Sequence, residues 1–319
     1  MLIKIWGCRG SIAVSGSDMS TGGNTTCFEI KSECLPPGSK LMVDAGTGFV
    51  PAGHNYLSEL NSGLLNYHIL FTHYHWDHVL GLTLSPPTFI DSVPMTIYGP
   101  DDSEFGPKEV ISYIFKRPFF PVDSARIRSK MTFKSMPDFD VYLIIVHPQG
   151  GFRLINRDLY TKMFSKGQIS FKGGDQYSIN ECMVISMQPA NHGNSKCISY
   201  RFHEMPSNKI AVICTDHEDE AGLAVDFKKH LQNANLLIAD AQYNLEKYKA
   251  QTARFGHGTP ACVVNTAIQC GVARVGITHH DPRSTDEFLD NVIMKEAKEQ
   301  IKDGKVDVFL CKDYEEFEV

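Results

Sequence analysis

Short apolar, β-branched runs recur along the chain, and each ends abruptly in a polar residue capable of chemistry. Leu41-Met42-Val43 runs into Asp44-Ala45-Gly46, and Tyr67–Phe71 runs into Thr72-His73. Met183–Met187 leads to Asn191-His192, Ile210–Cys214 to Thr215-Asp216, Leu236–Ala239 to Asp240, and Val275-Gly276-Ile277 to Thr278-His279-His280. Continuous apolar runs of this length predict strands buried on both faces. Helical patterns alternate with them. Pro260–Gly271 predicts one helix, with proline in its first turn and glycine at its end. Ser284–Lys302 predicts another, capped by Ser284 or Thr285 with Glu287 in the first turn. A short helix is expected near Lys108–Phe115, within an irregular Pro- and aromatic-rich segment from Ser85 to Ser129. A hairpin is expected across Val141–Ile155, turning at Gln149-Gly150-Gly151. Buried strands with covering helices make a layered α/β protein. Such folds gather ligands beyond one edge of the sheet, at strand ends.

The bulk numbers narrow the class. A hydrophobic share of 42% over 319 residues is enough for a large core, and no low-complexity tract or convincing linker splits the chain. The expectation is a single domain over 1–319, with an insertion or arm at about 133–177. A net charge of −6 gives no support for a general nucleic-acid binder, although a local basic patch stays open. The nine cysteines are odd in number and form no C-x-x-C pair, which fits reduced thiols and a cytoplasmic location rather than a disulfide framework. The N-terminus lacks the form of a signal peptide. No apolar run approaches the roughly 18 residues of a membrane span.

The densest chemistry lies in His73-Tyr74-His75-Trp76-Asp77-His78. In an extended segment positions i and i+2 point the same way, so His73 and His75 can reach one cation. Asp77 and His78 follow as the chain turns into a helix beginning near Val79, and can serve a second. Imidazole and carboxylate suit zinc, manganese or iron. A lone His-x-His is weak evidence; four ligand-type residues in six, at the end of an apolar strand, are a metal signature.

His73-x-His75-x-Asp77-His78 resembles the signature of the metallo-β-lactamase superfamily. The resemblance implies an αββα sandwich, two mixed β-sheets flanked by helices, with the site on one edge. It implies that one metal takes His73, His75 and His192, that the other takes Asp77, His78 and His279, and that Asp216 bridges them. Gly7-Cys8-Arg9-Gly10-Ser11, Gly22-Gly23-Asn24-Thr25-Thr26-Cys27 and Asp44-Ala45-Gly46-Thr47-Gly48 resemble the phosphodiesterase branch of the superfamily. That branch holds ribonuclease Z, the phosphoribosyl cyclic phosphodiesterases and cyclic-nucleotide phosphodiesterases. Asp240-Ala241-Gln242-Tyr243, Gly256-His257-Gly258-Thr259 and His279-His280-Asp281-Pro282 extend the likeness. By it, His257 lies near the scissile phosphate, with Gly258 where the pattern usually has serine.

The expected activity is hydrolysis of a small cyclic phosphodiester, a cyclic nucleotide or a ribose cyclic phosphate, by a dinuclear site holding two divalent ions, zinc first and manganese or iron next. Two cations about 3.5–4 Å apart can hold a water between them and lower its pKa. Asp77 and Asp216 would anchor the metals and could take up the water's proton, while His257 could serve the leaving oxygen. Asn24 and the glycines before it could offer backbone N–H groups to phosphate, or could form only a turn into the following strand. A homodimer is expected by resemblance alone.

Other classes stay in view. A ribonuclease Z-like nuclease would grip RNA with a basic arm, and Phe133–Tyr177 carries Lys134, Arg153, Arg157, Lys162, Lys166 and Lys172. An ester, lactone or thioester hydrolase could use the same metals, and a metal-binding sensor ranks last. His147, in Val146-His147-Pro148-Gln149-Gly150, reads as a turn residue, and His192 is preferred because the run Ile198–Phe202 and the strand ending in Asp216 follow it. His280 alternates with His279 and so should line the pocket without ligating. His217 should flank the site. Asp44 and Asp240 could orient histidines or simply close turns.

Overall fold

The computed structural model describes every residue except Asp18, Asp123, Lys172, Glu220, Ala221 and 303–305. Lys172, counted above among the cations of 133–177, therefore lies outside the described residues. Seventeen strands follow in chain order: β1 Leu2–Gly7, β2 Cys27–Lys31, β3 Ser39–Val43, β4 Asn66–Leu70, β5 Met95–Pro100, β6 Met131–Met136, β7 Tyr142–His147, β8 Gly151–Asn156, β9 Gln168–Ser170, β10 Gln176–Ser178, β11 Met183–His192, β12 Ser195–Glu204, β13 Lys209–Cys214, β14 Leu236–Asp240, β15 Arg274–Thr278, β16 Asp307–Leu310 and β17 Glu316–Glu318. They build a seven-stranded sheet in the order β17-β1-β2-β3-β4-β5-β6 and an eight-stranded sheet in the order β16-β15-β14-β13-β12-β11-β7-β8, with β9 and β10 as a separate hairpin. Both sheets are mixed: β3 to β6 are parallel, as are β13 to β16, and the remaining pairs are antiparallel.

Strand alternation explains the layers. Leu41 and Val43 of β3 face Ala211 and Ile213 of β13 and Ile185 and Met187 of β11 in the apolar layer between the sheets. The intervening Met42 points outward, onto Phe49, Ala52 and Ile111 of covering helices. Val212 and Leu237 point outward from the other sheet, onto Phe227, Val264, Ala267 and Ile293. The result is helix, sheet, sheet, helix, the αββα sandwich expected.

The local patterns are recovered with two adjustments. The Pro260–Gln269 helix has Thr259 as N-cap, its side chain accepting from Cys262 N. The Val141–Ile155 hairpin forms as β7 and β8, with His147 opposite Gly151. The helix after the metal motif starts at Trp76 rather than Val79, so Asp77 and His78 lie inside it and His75 precedes it. The Ser284–Lys302 pattern becomes helix from Asp286, capped by Thr285, with a π turn over Leu289–Ile293 before Met294–Lys298.

Within 133–177, the end of β6 belongs to the seven-stranded sheet, β7 and β8 form one end of the eight-stranded sheet, and β9 and β10 make the separate hairpin. Ile169 and Phe171 share an apolar cluster with Leu143, Ile145 and Ile155 of the β7–β8 hairpin and Val184 of β11. Among the described residues no helix is long and apolar enough to cross a membrane.

Candidate metal centre

The strands β3, β11, β13, β14 and β15 all deliver a carboxylate or imidazole at the same edge of the sandwich. Parallel pairing of β13, β14 and β15 brings Asp216, Asp240 and His279 side by side. β11 runs antiparallel to β12, which runs antiparallel to β13, so His192 ends at that edge too. In the facing sheet β3 and β4 are parallel, placing Asp44 beside the turn that carries His73. Three of these strand-end residues have left-handed backbone, Asp44 at φ 60°, Asp216 at φ 49° and His279 at φ 59°. Such backbone is costly for residues other than glycine and persists at sites where the surroundings impose it.

Among the described residues three groups of potential ligands result, each with donor atoms within 4.8 Å of one another, and Asp240, His257 and His279 form one of them. The other two are His73, His75, His192 and Asp216, and Asp77, His78, Asp216 and His279. Asp216 belongs to both. Its Oδ1 lies 3.2 Å from His78 Nε2 and 3.3 Å from His279 Nε2, and its Oδ2 lies 3.6 Å from both His73 Nε2 and His192 Nε2. His75 turns Nδ1 toward His192 Nε2 at 3.2 Å. His73 Nε2, His78 Nε2 and Asp216 Oδ1 are buried and have no hydrogen-bond partner. Buried polar atoms are ordinarily satisfied. Unpaired imidazole nitrogens and a carboxylate oxygen aimed at common points are the donor set a divalent cation needs, so the residues fit two such ions.

Outside the ligands, the other nitrogen of His73, His75, His78 and His192 is held, whereas His279 Nδ1 is buried without a hydrogen-bond partner. His78 Nδ1 meets Asp44 Oδ2 at 2.8 Å, and Asp44 also accepts from Thr72 N and Thr72 Oγ1. His192 Nδ1 donates to the Gly256 carbonyl at 2.8 Å. His73 Nδ1 lies 3.1 Å from Thr72 Oγ1, and His75 Nε2 lies 3.2 Å from Ser195 Oγ. These contacts fix ring orientation and leave the inner nitrogen free to ligate.

The charges are unbalanced without cations. For His78, burial opposes the charged form, but the Asp216, Asp77 and Asp44 carboxylates outweigh it and hold the imidazolium well above the ordinary range. His279, likewise buried, is raised to about 9, chiefly by Asp216. Burial works against ionisation of Asp77 and Asp216 too, yet the neighbouring histidines pull both carboxylates below their usual values. His73 and His75 go the other way, lowered by burial and then by neighbouring imidazoles. Protons thus occupy the ground between the carboxylates that a metal ion would take.

His257 stands at the mouth of the site. Its ring is stacked on His279 with centroids 4.9 Å apart, and its Nδ1 meets Asp240 Oδ2 at 2.8 Å. Asp240, completely buried on the same side, also accepts from Gln242 N. Of the ligand residues only His75 is exposed, and His257 is half-buried.

Other candidates sit differently. The Gly23 and Asn24 N–H groups do converge on an anion, but it is the chain's own Asp313, whose Oδ2 accepts both at 3.0 and 2.9 Å. The Asn24 amide bonds Tyr314 and Thr47. The backbone donors there thus face a carboxylate of the chain itself. His280 is 1% exposed and donates from Nε2 to the Cys311 carbonyl, which takes it off the cleft wall. His147 Nδ1 accepts from Gln149 N and Gly150 N, closing its turn. His217 stacks on Phe227 and belongs to none of the three groups. None of the nine cysteines is in a disulfide.

Sequence reasoning missed the residues that brace the site through backbone. Ser11 N–H donates to Asp77 Oδ2 at 2.7 Å. A Cβ on Gly10 would come within 2.3 Å of His279 Nδ1, so the glycine admits that ring. Glu218 was also missed. The Gly7–Ser11 motif was the available signal for the first two; nothing local marks Glu218.

No protein-family model matches the chain, and no curated protein sequence matches it. Solved structures do. The metallo-β-lactamase fold protein YhfI from Bacillus subtilis aligns with a TM-score of 0.61 at 15% identity, covering 99% of both chains. Unliganded yeast PDE1 gives 0.61 at 13% identity, covering 100% of this chain and 99% of its own. The short form of human tRNase Z gives 0.57 at 16% identity, with the same coverage. Identities this low speak for the fold alone, and with the layers and strand orders described above they identify this chain as a protein of the metallo-β-lactamase fold.

Proposed function

We propose that the protein is a dinuclear metal-dependent phosphodiester hydrolase acting on a small cyclic phosphodiester, a cyclic nucleotide or ribose cyclic phosphate. The observation that carries the proposal is Asp216, whose two oxygens face two separate histidine clusters with unsatisfied, buried donor atoms. His73, His75 and His192 would hold one ion, Asp77, His78 and His279 the other, and Asp216 both. Five imidazoles and two carboxylates favour zinc, with manganese or iron as alternatives. When bound, such a pair of ions supplies Lewis acidity to phosphoryl oxygens and lowers the pKa of water.

The chain's own groups do the rest. His75 and His257, the more exposed imidazoles at the site, would meet an entering phosphodiester. Asp240 accepts the Nδ1 proton of His257 and thereby fixes which ring edge meets the substrate. With both ring nitrogens protonated, His257 keeps Nδ1–H on Asp240 and would give a hydrogen bond or the Nε2 proton to the leaving oxygen as the P–O bond breaks. Asp77 is held by the Ser11 N–H and kept ionised by its histidine neighbours, as a metal ligand must be. The name of tRNase Z, one of the structural neighbours, is that of an RNA-cutting enzyme, which fits phosphodiester chemistry.

A small substrate is favoured over RNA because the 133–177 cations are partly spent within the protein. Arg153 donates to Ser170, and Arg157 to the Asp140 carbonyl. The net charge of −6 adds nothing to attract a polyanion.

The test is phosphorus NMR of zinc-loaded protein mixed with 3′,5′-cyclic, 2′,3′-cyclic and ribose 1,2-cyclic phosphates, beside a His75→Ala control. Opening of one ring by wild type and not by the control is expected. No opening of any ring, with cleavage of a precursor tRNA instead, would replace the proposal with the nuclease reading.

A further inference from the structure

Glu218 follows Asp216 by two residues and is 9% exposed. Its carboxylate is wrapped by one loop. The Tyr248 hydroxyl and the Arg254 N–H donate to Oε1, the latter at 2.8 Å, and the Gly256 N–H donates to Oε2 at 2.8 Å. Arg254 and Gly256 take left-handed backbone, φ 72° and 86°, to bring those N–H groups round. N–H groups curled about an anion form a nest, and here the chain supplies the anion itself.

The Gly256 peptide has a second task. Its carbonyl accepts from His192 Nδ1 at 2.8 Å, and a Cβ at 256 would come within 2.3 Å of that nitrogen. Only glycine permits both the positive φ and the approach. The backbone of Glu218 is tied to the same histidine's strand. Glu218 N–H donates to the Asn191 carbonyl at 2.9 Å, and Asn191 Nδ2 donates back to the Glu218 carbonyl at 2.8 Å. One buried carboxylate thus joins the Asp216 loop, the end of β11 and the turn that leads into His257.

We propose that Glu218 is a positioning residue of the metal centre: its carboxylate sets the Gly256 peptide, which holds His192 by Nδ1 so that Nε2 faces the first cation, and it sets the turn that presents His257. The inference rests on the proposed metal site. Holding Nδ1–H on a carbonyl fixes the tautomer in which Nε2 carries the lone pair. A glutamine at 218 keeps the shape but offers one acceptor oxygen in place of two, so an amide N–H2 must face a backbone donor. The Arg254–Gly256 turn, which carries both backbone donors, then has to move.

The experiment measures stepwise zinc affinities by chelator competition, together with thermal unfolding, for wild type, Glu218→Gln and Glu29→Gln. Glu29 is another buried carboxylate, on β2, accepting from Trp6 Nε1 and the Tyr56 hydroxyl. For Glu218→Gln one of the two zinc affinities is expected to fall by about 10–100-fold, the range for outer partners of metal ligands. The other should stay within about twofold, and the His192 Nδ1 proton should exchange faster by NMR. Glu29→Gln should keep both affinities. Unchanged zinc affinities in Glu218→Gln, with only the melting temperature lowered, would overturn the inference while leaving the proposed function standing. Wild-type protein that binds no zinc would overturn both. Should Glu218→Gln not fold, Tyr248→Phe removes one of the three donors alone. A several-fold loss at one zinc site is then expected, and wild-type affinity at both would count against the role.

Discussion

Asp44 Oδ2 lies 2.8 Å from His78 Nδ1, and neither side chain has any exposure to solvent. Asp44 closes β3, whereas His78 belongs to the motif after β4, so the pair joins adjacent strand ends. Since Thr72 also donates twice to Asp44, the carboxylate fixes His78 with Nε2 turned inward. Asparagine adopts the left-handed backbone of position 44 readily, so Asp44→Asn changes the charge and spares the turn. Zinc affinity, measured by chelator competition, is expected to fall by about 10–100-fold. An affinity equal to that of wild type would show that Asp44 only closes the turn.

His257 is set by Asp240 beside the ligands and belongs to neither of the two cation clusters that share Asp216. His257→Ala is therefore expected to lower kcat by about a hundredfold or more while the zinc content stays the same. Steady-state kinetics and metal analysis on one preparation check this. A joint loss of zinc and activity would instead make His257 a ligand.

Gly10 faces the ring of His279 at a distance no methyl group can occupy. Gly10→Ala is expected to displace His279 and to destabilise the protein by about 1–3 kcal/mol, the usual cost of overpacking. Zinc per chain should drop toward one. Calorimetry and metal analysis test both parts, and a variant with wild-type zinc content and melting temperature would contradict them.

The metal-free protein should lose stability as pH rises. Folding raises His279 from its ordinary 6.5 to about 9, so in this window the folded state binds more protons than the unfolded one. Stability then falls with increasing pH. The contribution is fully present below about pH 6.5 and lost through pH 9. Urea unfolding of chelator-treated protein between these values tests the sign. Zinc uptake over the same window should release protons, detectable as a buffer-dependent binding heat.

Much of this site was legible in the sequence because its ligands sit where apolar strands stop. His73, Asp216 and His279 each follow a buried run within a few residues, and parallel pairing then aligns their ends. The continuous apolar runs likewise marked the buried strands, while the two-sheet sandwich followed from the family resemblance. The bracing was not legible, because it joins residues remote in the chain through backbone. The glycine-rich turn at Gly22-Gly23-Asn24 forms an anion nest, but only the return of the chain near its end shows that Asp313 fills it. His280 alternates with His279 as expected, yet its partner is a carbonyl on the neighbouring segment at Cys311. Glu218 bonds a loop 36 to 38 residues further on, where Arg254 and Gly256 carry no pattern that announces a carboxylate.

The most direct test of the two-ion site is anomalous diffraction at the zinc edge from crystals of the zinc-loaded protein. Two peaks about 3.5–4 Å apart are expected, one beside His73, His75 and His192 and one beside Asp77, His78 and His279, with Asp216 touching both. A single peak, or zinc bound away from Asp216, would contradict the dinuclear site and the hydrolytic function built on it.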